Sequence, residues 1–137
     1  LLHHTYSLLG VETYRQVAAT PLPTGEVRVK MLFESAEPKP GSGGHVTLFV
    51  NGEPVGEGDM PQTVPVTFTS YAGMDIGKDY GLVVDRAYED KAPYAFTGTL
   101  KRVVFDLSPV EAAAKHSDTH DLHHHAHVQG VAAGVAG

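Results

Sequence analysis

A chain of 137 residues with 42% apolar residues is long enough for one domain with its own core, and its formal charge of −6 leaves no basic stripe for nucleic acid. It contains no cysteine, which excludes disulfide frameworks, thiolate zinc sites and thiol catalysis together. No stretch is apolar and long enough to span a bilayer, and the opening Leu1-Leu2-His3-His4 has neither the basic nor the sustained apolar region of a signal peptide.

The N-terminus reads as the interior of a longer protein. Tyr6-Ser7-Leu8 belongs to a first strand, on which His3 and His4 fall on opposite faces, so that one of the two is placed for burial without an evident partner. Pro21-Leu22-Pro23-Thr24-Gly25 then marks a turn. Val27, Val29, Met31 and Phe33 alternate with Glu26, Arg28 and Lys30, and Val46, Leu48 and Val50 alternate with Thr47 and Phe49. Such period-two runs are strands with one buried face. Asn51-Gly52 between Val50 and Glu53 is a two-residue hairpin turn, because both positions need positive φ. Pro54 cannot donate to a third strand, so Pro54 to Gly58 is expected at a sheet edge. Val64, Val66 and Phe68 predict a further strand.

Ala95 to Leu107 predicts the last strand. Its apolar parity slips between Leu100 and Val103, which calls for a bulge near Lys101-Arg102 or burial on both faces. Ser108-Pro109-Val110-Glu111 is a capping box, and Ala112 to Lys115 continue it as a short helix. Many short strands without interleaved amphipathic helices predict an all-β fold, an antiparallel β-sandwich over residues 1–107, followed by a short helix and a His/Gly/Ala-rich tail over 108–137.

The search for chemistry yields candidates rather than a catalytic set. There is no phosphate loop with Lys and Ser/Thr and no Gly-x-Ser-x-Gly elbow. Glu57 and Asp59 have the spacing of paired carboxylates on one strand face, but no third acid follows, and a solvated edge is the simpler reading. Asp75, Asp79 and Asp85 offer oxygen ligands for calcium, although not at EF-hand spacing; turn chemistry explains the same residues. Tyr71, Tyr80, Tyr88 and Tyr94 could stack on sugar rings or seal the end of a sandwich. His116, His120, His124 and His127 share one face of a continued helix and could chelate zinc, nickel or copper opportunistically. A tail of this kind lacks the fixed second shell that a catalytic metal requires.

Several runs, in order, resemble the C-terminal domain of long bacterial arylsulfatases. They are Leu8-Leu9-Gly10-Val11-Glu12-Thr13-Tyr14, Pro21 to Val29, Gly43 to Gly58, Thr63 to Val66, Asp75 to Gly81, and Phe96 to Val103. The resemblance spans about Thr5 to Leu107. It implies a concanavalin-like or laminin-G-like jelly roll appended to a sulfatase catalytic domain, with the N-terminal strands of the sandwich missing. It implies a parent that hydrolyses sulfate esters with formylglycine and a divalent metal, calcium or magnesium. The short Cys-or-Ser, Pro, Arg motif of that chemistry is absent here, so the resemblance assigns no catalytic residue and no cofactor to this chain. The implied partner is the catalytic domain in cis, with sulfated or neutral glycans as the alternative of a lectin-like module. It leaves open whether the bacterial parent is cytoplasmic or exported.

Overall fold

The computed structural model describes residues 1–66, 74–79, 83–91 and 94–107. Five strands and one 3-10 turn make up its regular structure: β1 (His3–Leu8), β2 (Glu12–Val17), β3 (Val29–Ser35), β4 (Ser42–Val50), β5 (Glu53–Gln62) and η1 (Arg86–Lys91). All pairing between these strands is antiparallel, in a two-stranded sheet β1-β2 and a three-stranded sheet β3-β4-β5. The all-β expectation therefore holds for the described residues.

One apolar cluster joins the two sheets. β1 and the end of β2 supply Leu2, Tyr6, Leu8 and Ala18; β4, β5 and the residues beyond supply Val46, Leu48, Met60 and Val64. Val46 and Leu48 are fully buried and each stabilises the fold by roughly 1.5–3 kcal/mol. Met31 and Phe33 of β3 pack on the cluster from its side. The Tyr6 hydroxyl reaches across to accept the Val64 amide at 2.8 Å, so a core aromatic also satisfies a buried backbone donor.

The Asn51-Gly52 turn is as expected: both residues have positive φ, 51° and 86°, and Val50 pairs with Glu53. Asn51 is further tied to the chain before β3, where its side-chain Oδ1 accepts the Arg28 amide and its own amide donates to the Arg28 carbonyl. Pro54 follows the turn on β5, which is an edge of its sheet. A backbone bond runs from the Ala19 amide to the Val55 carbonyl on that edge, at 2.8 Å.

The bulge falls elsewhere than expected. Phe49 pairs with Pro54 but Leu48 pairs with Gly56, so Val55 is the extra residue. This slip turns Gly56 and Gly58 toward β2. A Cβ on Gly56 would sit 2.7 Å from the Val17 carbonyl oxygen, and one on Gly58 would sit 3.0 Å from Gln16 Cγ. Side chains at these two positions would push the sheets apart.

Two strand expectations are corrected. Val64 and Val66 lie outside any strand, with Val64 buried and Val66 exposed, while Phe68 lies outside the described residues. Ala95 to Leu107 forms no strand and no Lys101-Arg102 bulge; only an isolated bridge pairs Ala95 with Lys78. The apolar residues are there, but among the described residues no strand pairs with the segment in a ladder. Phe96 instead donates its amide to Gly77, and its ring folds back over Gly98, whose Cβ position lies 2.6 Å from the ring. The helix expected at Ser108 to Lys115 lies outside the described residues, as does the rest of the 108–137 tail.

Candidate functional site

The outer face of the three-stranded sheet carries a cluster of ionisable groups. Register places His45 of β4 between Glu34 of β3 and Asp59 of β5, with Thr47 and Glu57 one step along. His45 Nδ1 lies 2.7 Å from Asp59 Oδ1, and Nε2 lies 3.4 Å from Glu57 Oε2. Hydrogen bonds to Asp59 first and Glu57 second favour the imidazolium, raising its pKa above 6.5. An open depression beside the cluster is lined by Glu34, Lys39, Ser42, His45, Asp59 and Pro61.

This arrangement resembles a catalytic histidine–carboxylate pair only in part. In a general base Nδ1 is oriented by the acid while Nε2 faces the reacting hydroxyl. Here Nε2 faces a second carboxylate, and the side chains of Asp59 and Glu57 are 85% and 73% exposed. The geometry defines a solvated ion cluster. Glu57 and Asp59 thus do share a strand face, and the histidine opposite them is what the sequence reading missed.

A second polar group lies on the outward face of the β1-β2 hairpin. Asp85 is buried, and both its oxygens accept from Arg15, through Nε and through Nη2 at 2.7 Å. The Thr5 hydroxyl, opposite Arg15 in the hairpin, donates to the same carboxylate. Asp85 Oδ1 also accepts the Ala87 amide at 2.9 Å, capping the first turn of η1. The Arg15 hydrogen bonds hold the Asp85 carboxyl down at about 2. Asp85 is therefore an anchor for residues 83–91, with its oxygens engaged by cationic and neutral donors.

The remaining candidates divide by position. Asp75 is exposed and Asp79 half-buried; among the described residues no group of three His, Asp or Glu side chains is arranged to hold a metal ion. Tyr88 and Tyr94 meet edge to face with ring centroids 5.5 Å apart. Their hydroxyls serve the module itself: Tyr88 accepts the Val84 amide and Tyr94 donates to the Glu89 carbonyl. Tyr71, Tyr80, His116, His120, His124 and His127 lie outside the described residues. Among the described residues, no helix is long and apolar enough to cross a membrane.

Comparison with protein-family models, with characterised proteins and with solved structures finds no match.

Proposed function

We propose that the chain is a non-catalytic accessory module, a jelly-roll sandwich appended to an arylsulfatase and packed against its catalytic domain. One observation carries this reading. From Phe96 to Leu107 the chain presents Phe96, Leu100, Val103, Val104, Phe105 and Leu107 to solvent. Large apolar side chains exposed this often along one segment are what a protein–protein contact leaves when its partner is absent. The resemblance to the C-terminal domain of arylsulfatases supplies the kind of partner. A parent of that class would bring its own formylglycine and divalent metal, and this chain would contribute packing and support rather than reacting groups.

The test begins with the reading frame upstream, which is expected to encode the Cys-or-Ser, Pro, Arg signature of a sulfatase. The catalytic domain encoded there, produced separately, should form a complex with this chain in solution. Val104→Asp and Phe105→Asp should abolish that complex while leaving the β1–β5 amides protected. An upstream frame without the signature, or a complex indifferent to both substitutions, overturns the reading. Binding of this chain alone to sulfated or neutral glycans on an array would move it to the lectin-like class.

A further inference from the structure

Among the described residues one buried side-chain nitrogen has no hydrogen-bond partner, Nε2 of His4. His4 is 1% exposed. Its Nδ1 lies 2.7 Å from Oε1 of Gln16, the residue that faces it across the β1-β2 hairpin. A carbonyl oxygen only accepts, so Nδ1 carries the proton and Nε2 is the bare nitrogen of a neutral ring. Gln16 is itself buried, beside Gly58 of β5, so the pair sits where the hairpin crosses the larger sheet.

Among the described residues around His4, none is placed to accept a second proton from the ring. On its own strand His4 shares the inward face with Leu2, Tyr6 and Leu8, all buried. β2 contributes Gln16 and Tyr14, with Glu12 at the far end of the hairpin, exposed and bound by the Tyr14 hydroxyl. β4 contributes Val46 and Leu48, and β5 contributes Gly58 and Met60. Glu12 and Glu53 share the inward faces only at their exposed ends, and the other charged groups lie on the opposite faces: Arg15 with Asp85, and His45 with Glu57 and Asp59. Burial accordingly holds the His4 pKa below 6.5, opposed only in part by the Gln16 bond.

We propose that the β1-β2 hairpin is an acid-released element, freed from the β4-β5 layer when His4 takes a proton on Nε2. The proton comes from solvent and the imidazolium is hydrated only once the hairpin lifts. Release is cheaper here than for an inner strand. Among the described residues the hairpin is a two-stranded sheet of its own, so it can leave without breaking the β3-β4-β5 ladder. Its ties to the rest include the Tyr6–Val64 bond, the Ala19–Val55 bond and the Arg15–Asp85 pair. Lifting it uncovers Tyr6, Leu8, Val46, Leu48 and Met60, an apolar surface that exists only in acid. The inference is independent of the sulfatase reading.

Hydrogen exchange of the 137-residue chain at pH 7.5 and pH 5.0, corrected for intrinsic rates, tests it. A histidine of pKa 6.5 in the open form favours opening by up to about 30-fold at pH 5.0. Amides of β1 and β2 should lose up to that much protection relative to those of β3 and β4. His45→Gln should leave the effect in place, and His4→Leu should remove it. Should His4→Leu not fold, the imidazole C–H resonances of the unaltered chain decide: the His4 signal should titrate only together with hairpin opening. Hairpin protection that does not fall, protection that falls equally in every strand, or a His4 ring that titrates near 6.5 with β1 still protected overturns the proposal.

Discussion

Arg15 and Asp85 stand 70 residues apart in the chain, yet the guanidinium grips the carboxylate with two of its nitrogens. The bond fastens the irregular segment 83–91 to the outward face of the β1-β2 hairpin, while Asp85 caps η1 with the same carboxylate. Fixed-fork donors and a planar acceptor suit one another, and the buried carboxylate has its lone pairs used.

Asp85 should therefore set the acid limb of stability. Its carboxyl is depressed in the folded state from 3.8 to about 2, so its contribution is complete above the unfolded value and is lost as pH falls through the folded one. Solvent at the half-exposed Arg15 screens the pair, so the contribution is at most about 2 kcal/mol. Urea midpoints measured from pH 6 down to pH 2 should decline for the natural chain. Asp85→Asn should start lower and decline less steeply between pH 4 and pH 2. Equal slopes would show that the pair does not govern acid stability.

His45 acts with the opposite sign to His4. Its folded pKa is raised by Asp59 and Glu57, so its contribution is present below 6.5 and is lost as pH climbs through the folded value. His4, lowered by burial, gives stability that is complete above 6.5 and is lost as pH falls below it. The two should partly offset each other between pH 5 and pH 8. His45→Gln should unmask His4, making the melting temperature rise more steeply with pH across that interval. A melting curve whose pH dependence is unchanged by His45→Gln would refute the coupling of His45 to its two acids.

The sequence carried the hairpin plainly, since Asn51-Gly52 fixes its turn through backbone sterics alone. It also marked the edge, because Pro54 lacks a donor wherever it sits. It did not reveal the His45 cluster, for a reason the register makes clear. Counting outward from Val50 opposite Glu53 pairs His45 with Gly58, whereas the observed partner is Asp59. The extra residue at Val55 makes the difference, and a bulge has little signature where every neighbour is compatible with a strand. The final run from Ala95 to Leu107 failed differently. Alternation reports a chain able to pair, but pairing needs an edge, which lies elsewhere in the sequence. The Arg15–Asp85 contact joins a strand to a distant loop, and no local pattern encodes such a meeting.

Two turns with the same backbone demand are served by unequal residues. Leu9 has φ 52° and Asn51 has φ 51°, but Leu9 is 71% exposed and gains little from its side chain. A left-handed conformation costs an ordinary residue roughly 1 kcal/mol, and asparagine much less. Leu9→Asn should stabilise the chain by about 0.5–1 kcal/mol in urea denaturation. Asn51→Ala should destabilise it by about 1–2 kcal/mol, because it also removes the acceptor of the Arg28 amide. A destabilised Leu9→Asn chain would mean that Leu9 is held by contacts beyond its turn.

Val55 is the extra residue that lets the Asn51-Gly52 turn and the buried face of β5 coexist. With the bulge in place, Gly56, Gly58 and Met60 turn inward and Glu57 and Asp59 turn out beside His45. Were Val55 instead paired with Leu48, the register set by the Asn51-Gly52 turn would continue with every later partner slipped by one residue. Glu57 would then face Val46 and Asp59 would face Gly44, placing two carboxylates on the core side. Burying unpaired carboxylates costs several kcal/mol each, more than a small domain has in reserve. Deletion of Val55 removes the extra residue itself and leaves Leu48 opposite Gly56 and His45 opposite Asp59, so the variant should keep cooperative unfolding and amide protection in β4 and β5. Val55→Ala, which keeps the residue count, should retain both. If the deletion variant loses cooperative melting or β4 protection, Val55 does more than absorb one residue of register.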